Sequence, residues 1–353
     1  MLLYIHIPFC DSKCHYCSFN SYVDKFNLKT SYMYALNEQL ISDIKKFKVK
    51  KNSVKSVFIG GGTPSTINPT LYLKIFETFF PFLKENAEIT IEANPNSATK
   101  DWLEGMKNLG VNRISFGVQS FDEKKLKLLN RAHSKNQALK AVENAKEVGF
   151  KNISIDLIYG VSCDSKELLK NDIELASKLP INHLSAYALT IEENTPFEKT
   201  PQVAKEELET TKWLFKTIKE KLNFNQYEIS NFGNYKSIHN LGYWKYDNYM
   251  GIGSGAVGKL KNKRFYPIID IEKYIKNPLL IKEEILTQED IKFEKIFLGL
   301  RSEIGVELDI LSKNELKKLQ ILNNEKKIYI KNNRFFNKDF LVTDELALFL
   351  SSN

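Results

Sequence analysis

Three cysteines fall within eight residues near the start of the chain, at Cys10, Cys14 and Cys17. Their spacing places three thiolates on one short loop, which is enough to hold three corners of a cubane iron–sulfur cluster and to leave one iron without a protein ligand. Zinc is the main alternative, because His15 would complete a four-ligand set. A thioredoxin-like CxxC pair is a weaker interpretation, since the cysteines follow a predicted strand without a helix-opening context.

The rest of the composition is that of an ordinary globular chain. There are only four cysteines in 353 residues, and the isolated Cys163 is expected to be a buried or idle thiol. Clustered cysteines are typical of a metal or redox site and not of a secreted disulfide framework, so we expect a reducing, cytoplasmic location. The net charge is +8, but the lysines are scattered along predicted helices. Nucleic acid is therefore not expected as a partner.

Short apolar or β-branched runs alternate with longer amphipathic segments over the first half of the chain, which predicts βα units and a parallel sheet. The predicted strands are Leu2–His6, Val54–Ile59, Glu88–Glu92, Arg113–Gly117, Asn152–Leu157 and His183–Leu189. Ligands of parallel sheets bind beyond the carboxyl ends of the strands. The unusual residues all follow such ends, at Cys10–Cys17, Gly60–Pro64, Glu92–Pro95, Gln119 and Asp156.

Side chains suited to ligand contacts recur in these loops. Gly61 and Gly62 would let the backbone approach a ligand closely, although a tight turn is the simpler explanation. Glu92 supplies a carboxylate that can accept from a hydroxyl group. Arg131 supplies a planar fork suited to a carboxylate, but an ordinary ion pair with Asp156 is the alternative.

The CxxxCxxC loop after the first strand resembles the signature of the radical S-adenosylmethionine superfamily. More narrowly, LYIHIPFC at residues 3–10 is similar to the oxygen-independent coproporphyrinogen III oxidase family. The similarity continues in order through Gly60–Ser65, Glu92–Pro95, Arg113–Phe121, Asn130–His133 and Asp156–Gly160. Each motif alone is weak, but their shared order is specific.

This resemblance implies cofactors and a fold. A [4Fe-4S] cluster is implied on the three cysteines, with S-adenosyl-L-methionine on the open iron and reductive cleavage to a 5′-deoxyadenosyl radical. The implied S-adenosylmethionine contacts are Tyr4, Tyr16, Gly61, Gly62, Thr63, Glu92, Gln119, Arg131 and Asp156. We expect an α/β fold with a partial (β/α)6 TIM-like barrel over residues 1–200. An extension over 201–286 and a helical or winged-helix-like accessory domain over 287–353 should follow.

Two features favour the heme chaperone branch of this family, HemW, over the oxidase. The oxidase signature continues to a fourth cysteine, whereas Ser18 and Phe19 follow Cys17 here. The stretch His239–Trp244 matches the HNxxYW motif linked to heme in that branch. The resemblance implies His239 as an axial heme ligand, with the porphyrin beside Asn240, Tyr243 and Trp244. The alternative is an aromatic core cluster around a hydrogen-bonded histidine.

The chaperone interpretation implies heme as cargo, handed to respiratory membrane proteins such as cytochromes, together with peripheral membrane association and a homodimer. Decarboxylation of coproporphyrinogen III is the competing function, and a heme-storage protein with a structural cluster is the third. Two positions depart from the family pattern. Val257 stands where a histidine is usual and Ser162 where a proline is usual.

Overall fold

Six parallel strands form the centre of the computed structural model, which describes residues 1–352. They are β1 (Leu2–Ile7), β2 (Val54–Gly61), β3 (Leu83–Ala93), β4 (Arg113–Gln119), β5 (Asn152–Tyr159) and β6 (His183–Ala188). Each pairs in parallel with the next in sequence order. The six predicted strands are confirmed, with ends that differ by at most a few residues.

Helices cover one face of this sheet, and strand alternation explains why. In β1, Leu3, Ile5 and Ile7 pack into the core shared with the helices, while Tyr4 and His6 point to the opposite face. The covering helices are α1 (Lys29–Lys46), α2 (Pro69–Phe79), α3 (Lys100–Asn108), α4 (Glu123–Leu128), α5 (Lys135–Glu147) and α6 (Lys166–Ala176). The expected βα succession is therefore present.

The segment after β6 extends both sides of the same sheet. Its elements are α7 (Leu208–Leu222), β7 (Asn225–Gln226), β8 (Asn231–Gly233), α8 (Ile238–Trp244), β9 (Tyr249–Ile252), β10 (Gly258–Leu260), β11 (Lys263–Pro267), α9 (Ile271–Lys276) and β12 (Ile281–Ile285). Strand β8 pairs with β6, and β9 pairs with β1. The two ends of the six-strand run thus pair with other strands, which makes the barrel partial as expected.

A smaller unit with its own core ends the chain. It contains α10 (Gln288–Leu300), β13 (Val306–Glu307), α11 (Lys313–Asn324), β14 (Ile328–Lys331), β15 (Arg334–Asn337) and α12 (Thr343–Ser351). Its three strands form an antiparallel sheet in the order β13-β15-β14, and β14–β15 is the predicted hairpin. The α/β fold with a small accessory domain is confirmed, while the boundaries at residues 200 and 286 stay predictions. Among residues 1–352 every helix is too short or too polar to cross a bilayer.

A buried ion pair fixes α4 to the loop that follows β5. Lys125 is 0% exposed, and its Nζ donates to Asp164 Oδ1 at 2.6 Å and to Ile158 O at 2.7 Å. Asp164 also accepts from the backbone N–H of Val161 at 3.0 Å. Because both charges are out of water, each depends on the other for its partner.

We expect Lys125→Ala to lower the free energy of unfolding by about 3–5 kcal/mol, since it leaves the Asp164 carboxylate buried without its cation. The exposed neighbour Lys124 is the matched control, and Lys124→Ala should change stability by less than about 0.5 kcal/mol. Urea unfolding followed by circular dichroism measures both. Equal midpoints for the two variants would show that the pair does not stabilise the fold.

Candidate functional site

A cavity of ≈ 460 Å³ opens at the carboxyl ends of the parallel strands. That volume lies within the range of small-molecule sites in proteins. Most of the sequence-predicted residues line it, namely Cys10, Cys14, Tyr16, Cys17, Gly61, Gly62, Thr63, Glu92, Gln119, Arg131 and Asp156. Residues distant in sequence meet here because parallel strands end at the same edge of the sheet.

Two of the three thiols receive hydrogen bonds from side chains of other loops. Thr63 Oγ1 donates to Cys10 Sγ at 3.4 Å, and Arg131 Nη1 donates to Cys14 Sγ at 3.1 Å. Burial raises the pKa of the Cys10 thiol, and the hydrogen bond from Thr63 opposes part of this rise. Cysteine ligates iron as the thiolate, and three cysteines are enough to hold a cubane cluster. The donor set therefore fits a cluster ligated by three cysteines.

In the structure, His15 does not lie where it could serve as the fourth ligand of a zinc ion. His15 Nδ1 lies 3.1 Å from Leu128 O, and the ring packs edge-on against Phe197 outside the cavity lining. Within residues 1–352 no three His, Cys, Asp or Glu side chains converge as they would around a single metal ion. A cubane carries its cysteines on three different irons, so it needs no such convergence.

The triple glycine at the end of β2 is required by close packing. Gly61 has φ +109°, and a Cβ there would meet the His6 ring at 2.4 Å. A Cβ on Gly60 would meet Glu92 Oε2 at 2.6 Å. The Gly61 N–H instead donates to Glu92 Oε2 at 3.1 Å. The glycines thus bring a backbone donor and a carboxylate together at the cavity wall.

Glu92 and Asp156 place two carboxyl groups in the cavity. Burial, together with the negative charge of Asp156, raises the pKa of Glu92 to about 7, although the Gly61 N–H and Arg113 oppose the shift. Burial also raises the pKa of Asp156, which accepts from Ser115 Oγ at 3.3 Å. Both groups face the same space from neighbouring regions of the sheet, where they can accept hydrogen bonds from ligand hydroxyls.

The Arg131 guanidinium makes more hydrogen bonds within the protein than the sequence predicts. Nη1 donates to Cys14 Sγ and lies 3.5 Å from Tyr16 Oη, and Nη2 donates to Asn94 Oδ1 and to Gly117 O. Its buried Nε has no partner. The predicted two-pronged contact with a carboxylate would therefore require some of these bonds to break.

The cavity is also lined by residues outside the predicted set of ligand contacts. Asn94, within the motif Glu92–Pro95, follows β3 and accepts from Arg131. Tyr187 lies near the end of β6, and Leu189, Thr190 and Glu192 follow that strand. For these four the only signal in the sequence is their position at a strand end. Tyr4, by contrast, was expected at the ligand but does not line the cavity. Its hydroxyl lies 2.9 Å from His6 Nδ1 inside the barrel.

The structure places His239, the axial heme ligand implied by the resemblance, in a buried position away from the cavity. The side chain is 1% exposed, with Nδ1 at 2.9 Å from Ser56 Oγ and Nε2 at 3.0 Å from Tyr243 Oη. Burial lowers the pKa of His239 to about 3. Both ring nitrogens are therefore engaged, and iron would have to displace a protein partner.

The HNxxYW motif lies at the amino ends of the strands, opposite the cavity. Glu88 at the inner face of β3 accepts from the backbone N–H groups of Ile238 at 2.9 Å and His239 at 3.0 Å, which caps α8. Gly242 packs directly on Leu2 at the start of β1. Asn240 and Trp244 belong to the same short helix. The motif closes the base of the barrel, as in the alternative of a hydrogen-bonded core histidine.

The sequence of this chain is similar to those of known proteins. The radical SAM superfamily matches residues 4–176. The chain is 35% identical to the heme chaperone HemW of Bacillus subtilis over 320 residues, which cover 86% of this chain and 84% of the relative. The chain belongs to the HemW family. The HemW of Escherichia coli is 39% identical over 268 residues, covering 73% of this chain and 70% of the relative.

The fold of this HemW family member is similar to a solved structure, that of the radical SAM enzyme coproporphyrinogen III oxidase (HemN) from Escherichia coli. The TM-score is 0.81 at 19% identity, covering 99% of this chain and 90% of that chain. At this identity the similarity concerns the fold alone. It agrees with the radical SAM fold expected from the sequence.

We expect anaerobic reconstitution to load about four irons and four sulfides per chain, and Cys10→Ala, Cys14→Ala or Cys17→Ala each to abolish this loading. Cys163→Ala is the matched control, because Cys163 is exposed and lies outside the cavity lining. Iron and sulfide analysis with visible absorption measures loading. One zinc per chain and no sulfide would refute the cluster assignment.

Proposed function

We propose that the chain is a heme chaperone of the HemW type that carries a [4Fe-4S] cluster on Cys10, Cys14 and Cys17 and binds S-adenosylmethionine in the same cavity. The convergence of the three thiols with Glu92 and Asp156 in one cavity carries this proposal. The names of the curated relatives support heme as the cargo.

The bound cluster and S-adenosylmethionine would supply one-electron chemistry at the cavity. The protein contributes binding and orientation. Glu92 is suited to accept from the ribose hydroxyls, and Gly61 and Gly62 let the backbone come close to the methionine moiety. Arg131 lines the same cavity, and its guanidinium is suited to the carboxylate of the methionine moiety.

The remaining expectations extend the same proposal. Respiratory membrane proteins such as cytochromes are the proposed heme acceptors, and a cytoplasmic location, peripheral membrane association and a homodimer stay predictions. The oxidase is the second candidate, because the motifs from LYIHIPFC to Asp156–Gly160 also resemble the oxidase family. Phe19, at the position where the oxidase pattern has a fourth cysteine, argues against it.

The proposed function predicts that the affinity for S-adenosylmethionine depends on pH. Ribose hydroxyls bind best to the ionised carboxylate, so protonation of Glu92 below its pKa of about 7 should weaken S-adenosylmethionine binding. We expect affinity to rise between pH 6 and pH 8. Glu92→Gln should remove this dependence and cost about 1.5–3 kcal/mol, roughly ten- to a hundredfold in Kd at pH 8.

Isothermal titration of the reconstituted protein measures these affinities. Asp156→Asn is the informative companion, because removing that charge should lower the pH at which affinity rises. Arg113 and the Gly61 N–H, which favour ionised Glu92, are unchanged in both variants. A flat profile in the wild type, or one that persists in Glu92→Gln, would place the ribose contact elsewhere.

The second prediction concerns heme. We expect the wild type to bind heme, and His239→Ala to leave the Soret band unchanged, because His239 faces Ser56 and Tyr243 inside the base of the barrel. The variant should instead be less stable by about 1–3 kcal/mol, since two buried hydroxyls lose their partner. Heme titration with apomyoglobin competition and urea unfolding measure the two effects.

A shifted Soret band in His239→Ala at unchanged stability would mean that the histidine ligates the iron and that the structural role is wrong. The same preparations should be incubated with reductant, S-adenosylmethionine and coproporphyrinogen III. Absence of protoporphyrinogen IX supports the chaperone. Its formation by the wild type would replace the chaperone with the oxidase.

A further inference from the structure

The turn after α4 contacts the loop that carries Cys10, Cys14 and Cys17 through four successive residues. Segment 128–131 lies against segment 13–16, and it contributes two backbone carbonyl groups followed by two side chains. The contacts are Leu129 O with His15 N at 3.3 Å, Leu128 O with His15 Nδ1 at 3.1 Å, Asn130 Nδ2 with Lys13 O at 2.8 Å and Arg131 Nη1 with Cys14 Sγ at 3.1 Å. The middle cysteine is therefore held by a second loop.

Arg131 is fixed at both ends. Its backbone N–H donates to Leu126 O at 2.9 Å, and the preceding Asn130 turns the chain with φ +57°. At the other end Nη2 donates to Asn94 Oδ1 and to Gly117 O, the latter at 2.7 Å. These anchors leave Nη1 little freedom, so it is held on the sulfur of Cys14.

A charged hydrogen-bond donor to a cysteine sulfur changes the reduction potential of the iron–sulfur cluster that this cysteine holds. One-electron reduction adds negative charge to an iron–sulfur cluster, and part of that charge resides on the cysteine sulfurs. Hydrogen bonds to those sulfurs and a neighbouring cation stabilise the reduced state, which raises the reduction potential. Thr63 Oγ1 makes a similar contact to Cys10 Sγ, but it is neutral and longer, at 3.4 Å.

We propose that Arg131 is a positioning residue for Cys14 and raises the reduction potential of the cluster through its N–H···S bond, separately from any contact with S-adenosylmethionine. The inference rests on the proposed cluster. It assigns the two Nη groups to the cysteine loop and to the neighbouring groups that fix the guanidinium.

The test uses the full chain, reconstituted anaerobically without S-adenosylmethionine. Iron and sulfide are counted first, and the midpoint potential is then measured by redox titration with electron paramagnetic resonance. Arg131→Gln should shift the potential to more negative values, and Thr63→Val should shift it less in the same direction. Arg131→Lys keeps the charge without the fork and should fall between wild type and Arg131→Gln. Gln119→Ala, in the same cavity without a described bond to a cysteine sulfur, is the matched control.

The inference would be overturned, with the cluster assignment intact, by either of two results. One is an Arg131→Gln variant that carries its full iron and sulfide and has the wild-type midpoint potential. The other is a Gln119→Ala variant whose potential shifts as much as that of Arg131→Gln. If Arg131→Gln does not load, a loaded Arg131→Lys at wild-type potential would overturn it equally. Failure of the wild type to take up iron and sulfide would instead refute the proposed function, and the inference with it.

Discussion

Buried polar groups inside the barrel constrain the rest of the structure. The inner faces of the strands carry Glu88, Arg113 and His183, each almost fully removed from water. Such groups are costly unless they find hydrogen-bond partners. His183 finds them in Ser154 and Tyr227, at 2.7 Å each. The elements that follow β6 supply several of these partners. The extension is therefore needed to satisfy the buried polar groups inside the barrel.

Glu88 shows how this constraint shapes the base. Its carboxylate accepts from two backbone N–H groups of α8 and from the Tyr235 hydroxyl at 3.0 Å. A seven-residue helix gains little stability by itself, and a charged acceptor at its amino end supplies part of what it lacks. His239 then closes the contact with Ser56 on β2. A polar barrel interior and a polar helix motif satisfy each other.

Sequence patterns predicted the strands and the cavity because both depend on local regularities. Alternation in residues such as Leu3, Tyr4 and Ile5 defines a strand, and parallel strands must bring their ends together. The same patterns could not show at which end of the barrel His239 would lie, since that depends on Glu88, distant in sequence. Nor could they show that Arg131 would meet Cys14, because that contact joins two loops with no shared periodicity.

The division between the two ends of the barrel limits where ligands can act. At the base, α8 and its contacts with Leu2, Ser56 and Glu88 fill the amino ends of the first three strands with paired side chains. At the other end, the carboxyl groups of Glu92 and Asp156 line an open cavity together with the three cysteines. A ligand site needs both space and a few converging polar groups, and the carboxyl ends of the strands provide both. The packing of α8 against β1, β2 and β3 holds the amino ends of the same strands in place.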